Sequence, residues 1–224
     1  MRGYWLAVAS LCSFAFSPCL LGEAPPSTTA VIVTDFSNPE LSPSHWTLTL
    51  HRDGSGHFHS ERGDSRAEEP NEMDAPNVDR DLQVSPEFAE SLFQAAKRHH
   101  WFNEQCESRL KVAFQGWKEL SYSGPEGHGS CRFNYAKDKE IQSLGDSLTG
   151  VAETMLEGAR LEMLMQHDRL GLDKEMEFLT DATRDGRMRE LGAIREILER
   201  LEADPEVLDR VRKRAHILLE HPGT

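Results

Sequence analysis

The spacing of hydrophobic positions changes twice along this chain. It begins as an apolar run, Tyr4-Trp5-Leu6-Ala7-Val8-Ala9-Ser10-Leu11-Cys12-Ser13-Phe14-Ala15-Phe16. Arg2 precedes the run, and small or turn-forming residues follow it at Ser17-Pro18-Cys19 and Gly22-Glu23-Ala24. A charged start, an apolar middle and a small-residue end are the layout of a secretory signal peptide, so residues 1–24 are expected to be an export segment that is removed. The run is too short to cross a bilayer, which takes ~20 apolar residues, and no later stretch approaches that length. No integral membrane span is therefore expected.

Between 25 and 138 the pattern is mostly of period two. Residues 25–43 carry Pro25, Pro26, Pro39 and Pro43 among Ser and Thr and read as a linker, with Val31-Ile32-Val33 able to pair as a short strand. Trp46, Leu48 and Leu50 alternate with Thr47, Thr49 and His51, which predicts a half-buried strand. Asp53-Gly54 supplies a hairpin turn and Gly56-His57-Phe58-His59 the return. Residues 61–83, in which acidic residues outnumber arginines and which hold Pro70 and Pro76, read as an exposed loop. Ser85-Pro86-Glu87 starts a helix, with Phe88, Leu92, Phe93 and Ala96 on its apolar face. Leu110, Val112 and Phe114 alternate as a strand. Gly116 reads as a bulge before a strand over 117–122, and a turn at 124–129 leads to Cys131, Phe133 and Tyr135 on the last strand.

From about 139 the period becomes 3.6. Ile141, Leu144, Leu148, Val151, Met155 and Ala159 stripe a long helix, although Gly145, Gly150 and Gly158 weaken it. Asp173 is expected to cap a second helix, Met188 to Leu201 to stripe a third, and Asp204-Pro205-Glu206 to cap a fourth. The predicted fold is α+β: a small antiparallel sheet with a packed helix over 44–138, then a C-terminal antiparallel helical region over 139–221.

An exported chain changes how its cysteines read. With Cys12 and Cys19 in the export segment, Cys106 and Cys131 remain as a pair in an oxidising compartment, where a disulfide is the default. Neither belongs to a Cys-x-x-Cys arrangement, which argues against a redox or metal role. The formal net charge of −13 argues against nucleic acid as the main partner.

Several short patterns suggest chemistry. Gly145-Asp146-Ser147-Leu148-Thr149-Gly150 resembles the serine block of the GDSL esterases, which implies Ser147 as a nucleophile. The rest of that family's pattern is missing: no Asn follows Asn134, and no Asp stands three residues before His167, His216 or His221. On the hairpin, His51, His57 and His59 are expected on one face, opposite Trp46, Leu48, Leu50 and Phe58. A His-x-His pair on a strand suits Zn or Cu, and a solvated polar face is the simpler reading. Asn77-x-Asp79-x-Asp81 hints at a calcium loop but has Leu82 and Phe88 where such a loop needs Gly and Glu. Gly124-x-x-Gly127-x-Gly129 lacks the Lys and the helix of a phosphate loop. Arg210, Arg212, Lys213 and Arg214 are expected near a helix C-terminus, where cations complement the dipole.

The segment Gly116-Trp117-Lys118, Gly124-Pro125-Glu126-Gly127, Cys131-Arg132-Phe133-Asn134-Tyr135 and Ile141-Gln142-Ser143-Leu144 resembles a family of uncharacterised exported proteins of soil acidobacteria. The resemblance implies a periplasmic or extracellular place in a Gram-negative envelope and brings no activity. The expectation is an exported structural or protein-interaction module with an unidentified envelope partner and no catalysis. The alternative is a metal-binding module or metalloenzyme built on the hairpin histidines.

Overall fold

The computed structural model describes residues 29–61 and 77–220. The expected export segment and residues 62–76 of the acidic stretch lie outside them. Six strands form one sheet: β1 (Val31–Ser37), β2 (His45–His51), β3 (Ser55–Glu61), β4 (Val78–Gln83), β5 (Trp117–Gly124) and β6 (Gly127–Phe133). Every neighbouring pair is antiparallel, in the order β4-β3-β2-β1-β5-β6. Among the described residues, five α-helices complete an α+β fold: α1 (Pro86–Arg98), α2 (Lys139–His167), α3 (Leu172–Arg184), α4 (Arg195–Ala203) and α5 (Asp209–Glu220). Burial alternates along β1 and β2, so one face of the sheet packs inward and the other meets solvent.

The stretch expected as a linker supplies an interior strand: the pairing expected at Val31-Ile32-Val33 is present and runs on to Ser37. Ile32, Thr34 and Phe36 of β1 face the core, and β1 pairs with β2 on one side and β5 on the other. Its polar members, Thr34, Asp35 and Ser37, concealed the alternation. The acidic stretch also ends in a strand. Val78 and Leu82 of β4 face inward, while Asp79 and Asp81 point out along the edge of the sheet and meet His57 of β3. Charges on an edge strand discourage pairing with another chain.

Leu110, Val112 and Phe114 form no strand, and all three are exposed. The Asn134 side chain explains the loss: its Oδ1 accepts from Gln115 N at 2.7 Å and its Nδ2 donates to Ala113 O at 3.2 Å. One amide thereby occupies backbone groups that a strand partner would have taken. Cys106 and Cys131 are bridged, with Cα atoms 5.5 Å apart, which ties this loop to β6.

α1 begins as expected: Pro86 is in its first turn, and Ser85 Oγ accepts from Phe88 N at 3.2 Å. A second acceptor comes from far along the chain. Glu190 takes Ser85 N at 2.6 Å and Ser85 Oγ at 3.0 Å, binding the start of α1 to the C-terminal helices. Glu190 holds a left-handed backbone (φ 57°), a conformation costly for a side chain of its size. The stripe from Met188 to Leu201 is divided, with a 3-10 turn at Leu191–Ile194 before α4. The Asp204 side chain stabilises a turn by accepting from Glu206 N at 2.9 Å, and α5 starts later, at Asp209. The basic run therefore lies in the first half of α5 and not near its end. Arg210 and Arg214 both reach Asp173 on α3, which ties these helices together instead of capping α3.

Candidate functional site

A cleft of about 640 Å³ opens between the inner face of the sheet and α2. That volume falls within the range of small-molecule sites, roughly 300–1,000 Å³. Its floor is a row across three strands. Phe36 of β1 lies between Trp46 of β2 and Lys118 of β5 in the pairing register, and the Phe36 and Trp46 rings stack with centroids 5.1 Å apart. The wall is one face of α2, with Asp146, Thr149, Gly150, Glu153, Glu157 and Arg160. Phe178 and Arg187 close the far side, the guanidinium standing 5.3 Å from the ring centroid.

Lys118 occupies an inward position of β5, in phase with Leu120 and Tyr122, where the alternation calls for an apolar residue. It is 4% exposed. Burial pushes its pKa down, and Asp146 opposes that shift only weakly. The two groups are 3.9 Å apart, beyond hydrogen-bonding distance. Both Asp146 oxygens are instead held by the Gln142 amide, at 2.9 and 3.0 Å. A buried charge without a well-placed partner costs several kcal/mol.

The helix is shaped around this lysine. A Cβ at Gly145 would stand 2.8 Å from Phe133 Cζ and 3.2 Å from Lys118 Cδ. At Gly150 it would stand 2.9 Å from Arg187 O. The two glycines of the esterase-like segment are therefore accounted for by close packing. Ser147 lies within α2, which is not the strand-to-turn setting of a nucleophile.

About 16 Å beyond Asp146 along α2, at 1.5 Å per residue, a second polar group is buried. Glu157 is 4% exposed and its Oε1 has no hydrogen-bond partner. Burial, reinforced by the negative charge of Glu175, pushes its pKa up to about 8, so it is largely protonated at neutral pH. Arg160 counters this only in part because it is paired with Glu175 at 3.2 Å. Glu153 opens into the cleft but has protein on most sides, and this desolvation raises its pKa against the pull of Arg160 and Arg187.

The hairpin histidines lie elsewhere. His57 and His59 share the solvent face of β3, opposite Thr49 and Thr47, and His51 lies farther along the same face. Both ring nitrogens of His57 are engaged, Nε2 with Asp79 at 2.7 Å and Nδ1 with Asp81 at 2.8 Å. The Asp81 contact, working against a smaller burial effect, raises its pKa. His59 stands 3.7 Å from both Asp79 and Glu61. Among the described residues, no group of three or more His, Cys, Asp or Glu side chains is placed to hold a metal ion.

Neither Lys118 nor Glu157 was among the residues expected to carry chemistry. The signal was present in both cases, as a charge in phase with Leu120 and Tyr122 and an acid at helical spacing from Thr154 and Leu161. No protein-family model matches the sequence, and no curated protein matches it.

Proposed function

We propose that the protein is an exported, non-catalytic binding module whose cleft between the sheet and α2 takes up a small amphipathic molecule. The observation that carries this reading is the meeting of a stacked aromatic floor with two buried, poorly partnered polar side chains, Lys118 and Glu157, in one cavity of suitable size. Ligand sites combine these elements, with apolar surface giving affinity and a few polar groups fixing orientation. The Cys106–Cys131 bridge is compatible with an oxidising compartment. The test is a titration with the neutral dye N-phenyl-1-naphthylamine, followed by its fluorescence. One dye per chain is expected, and Thr149→Trp, which fills the cleft from α2, should abolish binding. No saturable binding, or binding indifferent to that substitution, refutes the reading.

The exposed run Leu110, Val112 and Phe114 favours a second role, in which this loop docks an envelope protein. Photo-crosslinking from position 114 in cells tests it, and recovery of no discrete adduct rules it out.

A further inference from the structure

We propose that the ligand of the cleft is an amphipathic organic carboxylate, its carboxylate against Lys118 and its apolar body over Phe36 and Trp46. This rests on reading the cleft as a binding site and adds the chemical class of what enters it. The first argument is charge. Lys118 lines the cleft, is 4% exposed, and among the described residues meets only Asp146, at 3.9 Å. A strongly hydrated ammonium held this way lacks the acceptor that burial demands, and an anionic group of a ligand supplies one. Asp146 is not a substitute, because at 3.9 Å it stands beyond hydrogen-bonding distance of the ammonium.

The second argument is placement. Phe36 stands beside Lys118 in the register and stacks on Trp46, so the anion site continues directly into an aromatic surface. The lysine stem reaches this position because Gly145 leaves room against its Cδ. The third argument separates a monoanion from a more highly charged group. Lys118 is a single cation, Asp146 and Glu153 line the same cavity, and Arg160 and Arg187 are engaged with Glu175 and Asp185. One carboxylate matches one ammonium in charge, whereas a phosphate dianion meets twice the repulsion from those acids. At the other end, the largely protonated Glu157 carboxyl lines the cavity, its Oε1 without a hydrogen-bond partner and suited to a hydroxyl or carbonyl.

The experiment uses the mature protein with its disulfide intact. Calorimetric titration compares 2-naphthylacetate and decanoate, each with its matching alcohol and amine. The carboxylates should bind at least tenfold more tightly than their alcohols and amines. Lys118→Met should erase that preference and leave alcohol affinity within about twofold. Should that variant fail to fold, the comparison on the unaltered protein decides alone. Equal binding of acid and alcohol, or a preference for the amine, overturns the carboxylate assignment while leaving the cleft as a site. If none of these probes binds but N-phenyl-1-naphthylamine does, the carboxylate proposal falls and the cleft reading stands. If neither binds, both fall.

Discussion

Replacing Glu157 by Gln should stabilise the protein, and by an amount that grows with pH. In the unfolded chain the carboxyl ionises near its ordinary value of 4.5, whereas in the folded protein its pKa is pushed up to about 8. Below 4.5 both states hold the proton, and the acid costs nothing relative to Gln. Between 4.5 and 8 the unfolded state releases a proton that the folded state keeps, so wild-type stability falls as pH rises. At 1.36 kcal/mol per pKa unit, the penalty is about 1 kcal/mol at pH 5 and about 4 kcal/mol at pH 7.5. Gln has nearly the same shape and stays neutral throughout. The difference between Glu157→Gln and wild type should therefore widen by about 3 kcal/mol between these pH values, or roughly 6–12 °C in melting temperature for a chain of this size. Differential scanning calorimetry at pH 5 and 7.5 reads it directly. A gap that stays constant with pH, or a variant less stable at pH 7.5, would refute the claim that this carboxyl is buried as an acid.

Three further outcomes are expected. Burial disfavours the charge on His99, but Glu104, Glu140 and Asp138 together outweigh it and raise its pKa above 6.5. Its contribution is thus complete below pH 6.5 and is lost as pH climbs through the raised value; urea midpoints should fall less between pH 6 and 8.5 in His99→Gln than in wild type, and equal slopes would contradict this. Opening the Cys106–Cys131 bridge, with 25 residues of sequence separation, should cost about 3.5 kcal/mol through the freedom regained by the unfolded chain. Unfolding of the Cys106→Ala/Cys131→Ala variant by guanidinium measures this, and a loss below about 1 kcal/mol would show the bridge to be incidental. Glu190→Ala should cost about 2–3 kcal/mol by leaving Ser85 N without its carboxylate acceptor, despite relieving little of the left-handed strain. Chemical denaturation checks the size, and a neutral result would mean that water replaces the carboxylate.

What the sequence revealed follows from which forces are local. The hairpin from Trp46 to Phe58, the Ser85 cap and the stripe along α2 depend on alternation, turn residues and helical spacing, all visible within a short window. Val31-Ile32-Val33 was legible as a strand start, but the rest of β1 and all of β4 were obscured because about half their residues are polar and their pairing partners lie outside a short window. Leu110–Phe114 shows the reverse: a sound local alternation is defeated by one side chain, Asn134, about twenty residues away. Lys118 and Glu157 were passed over because a lone charge inside an apolar pattern looks like an irregularity until its surroundings are known. The glycines of α2 looked like weaknesses for the same reason, since the neighbours they admit arrive from β5, β6 and the segment after α3.

The place of β1 in the sheet also sets an order of events. Val31 pairs with His51 in β2 and with Ser123 in β5, so the first strand among the described residues has a partner that lies 92 positions later. Until β5 is available, β1 presents an open edge and Phe36 lacks half its floor. Pairings this distant in sequence form slowly, because the intervening chain must lose its freedom before the contact is gained. A chain delivered N-terminus first through a narrow channel therefore cannot complete its sheet before residue 133, or its cleft before residue 188, has emerged. The strands β1 to β4 can pair as each follows the last, but the same topology that builds the site makes the site the last part to be assembled.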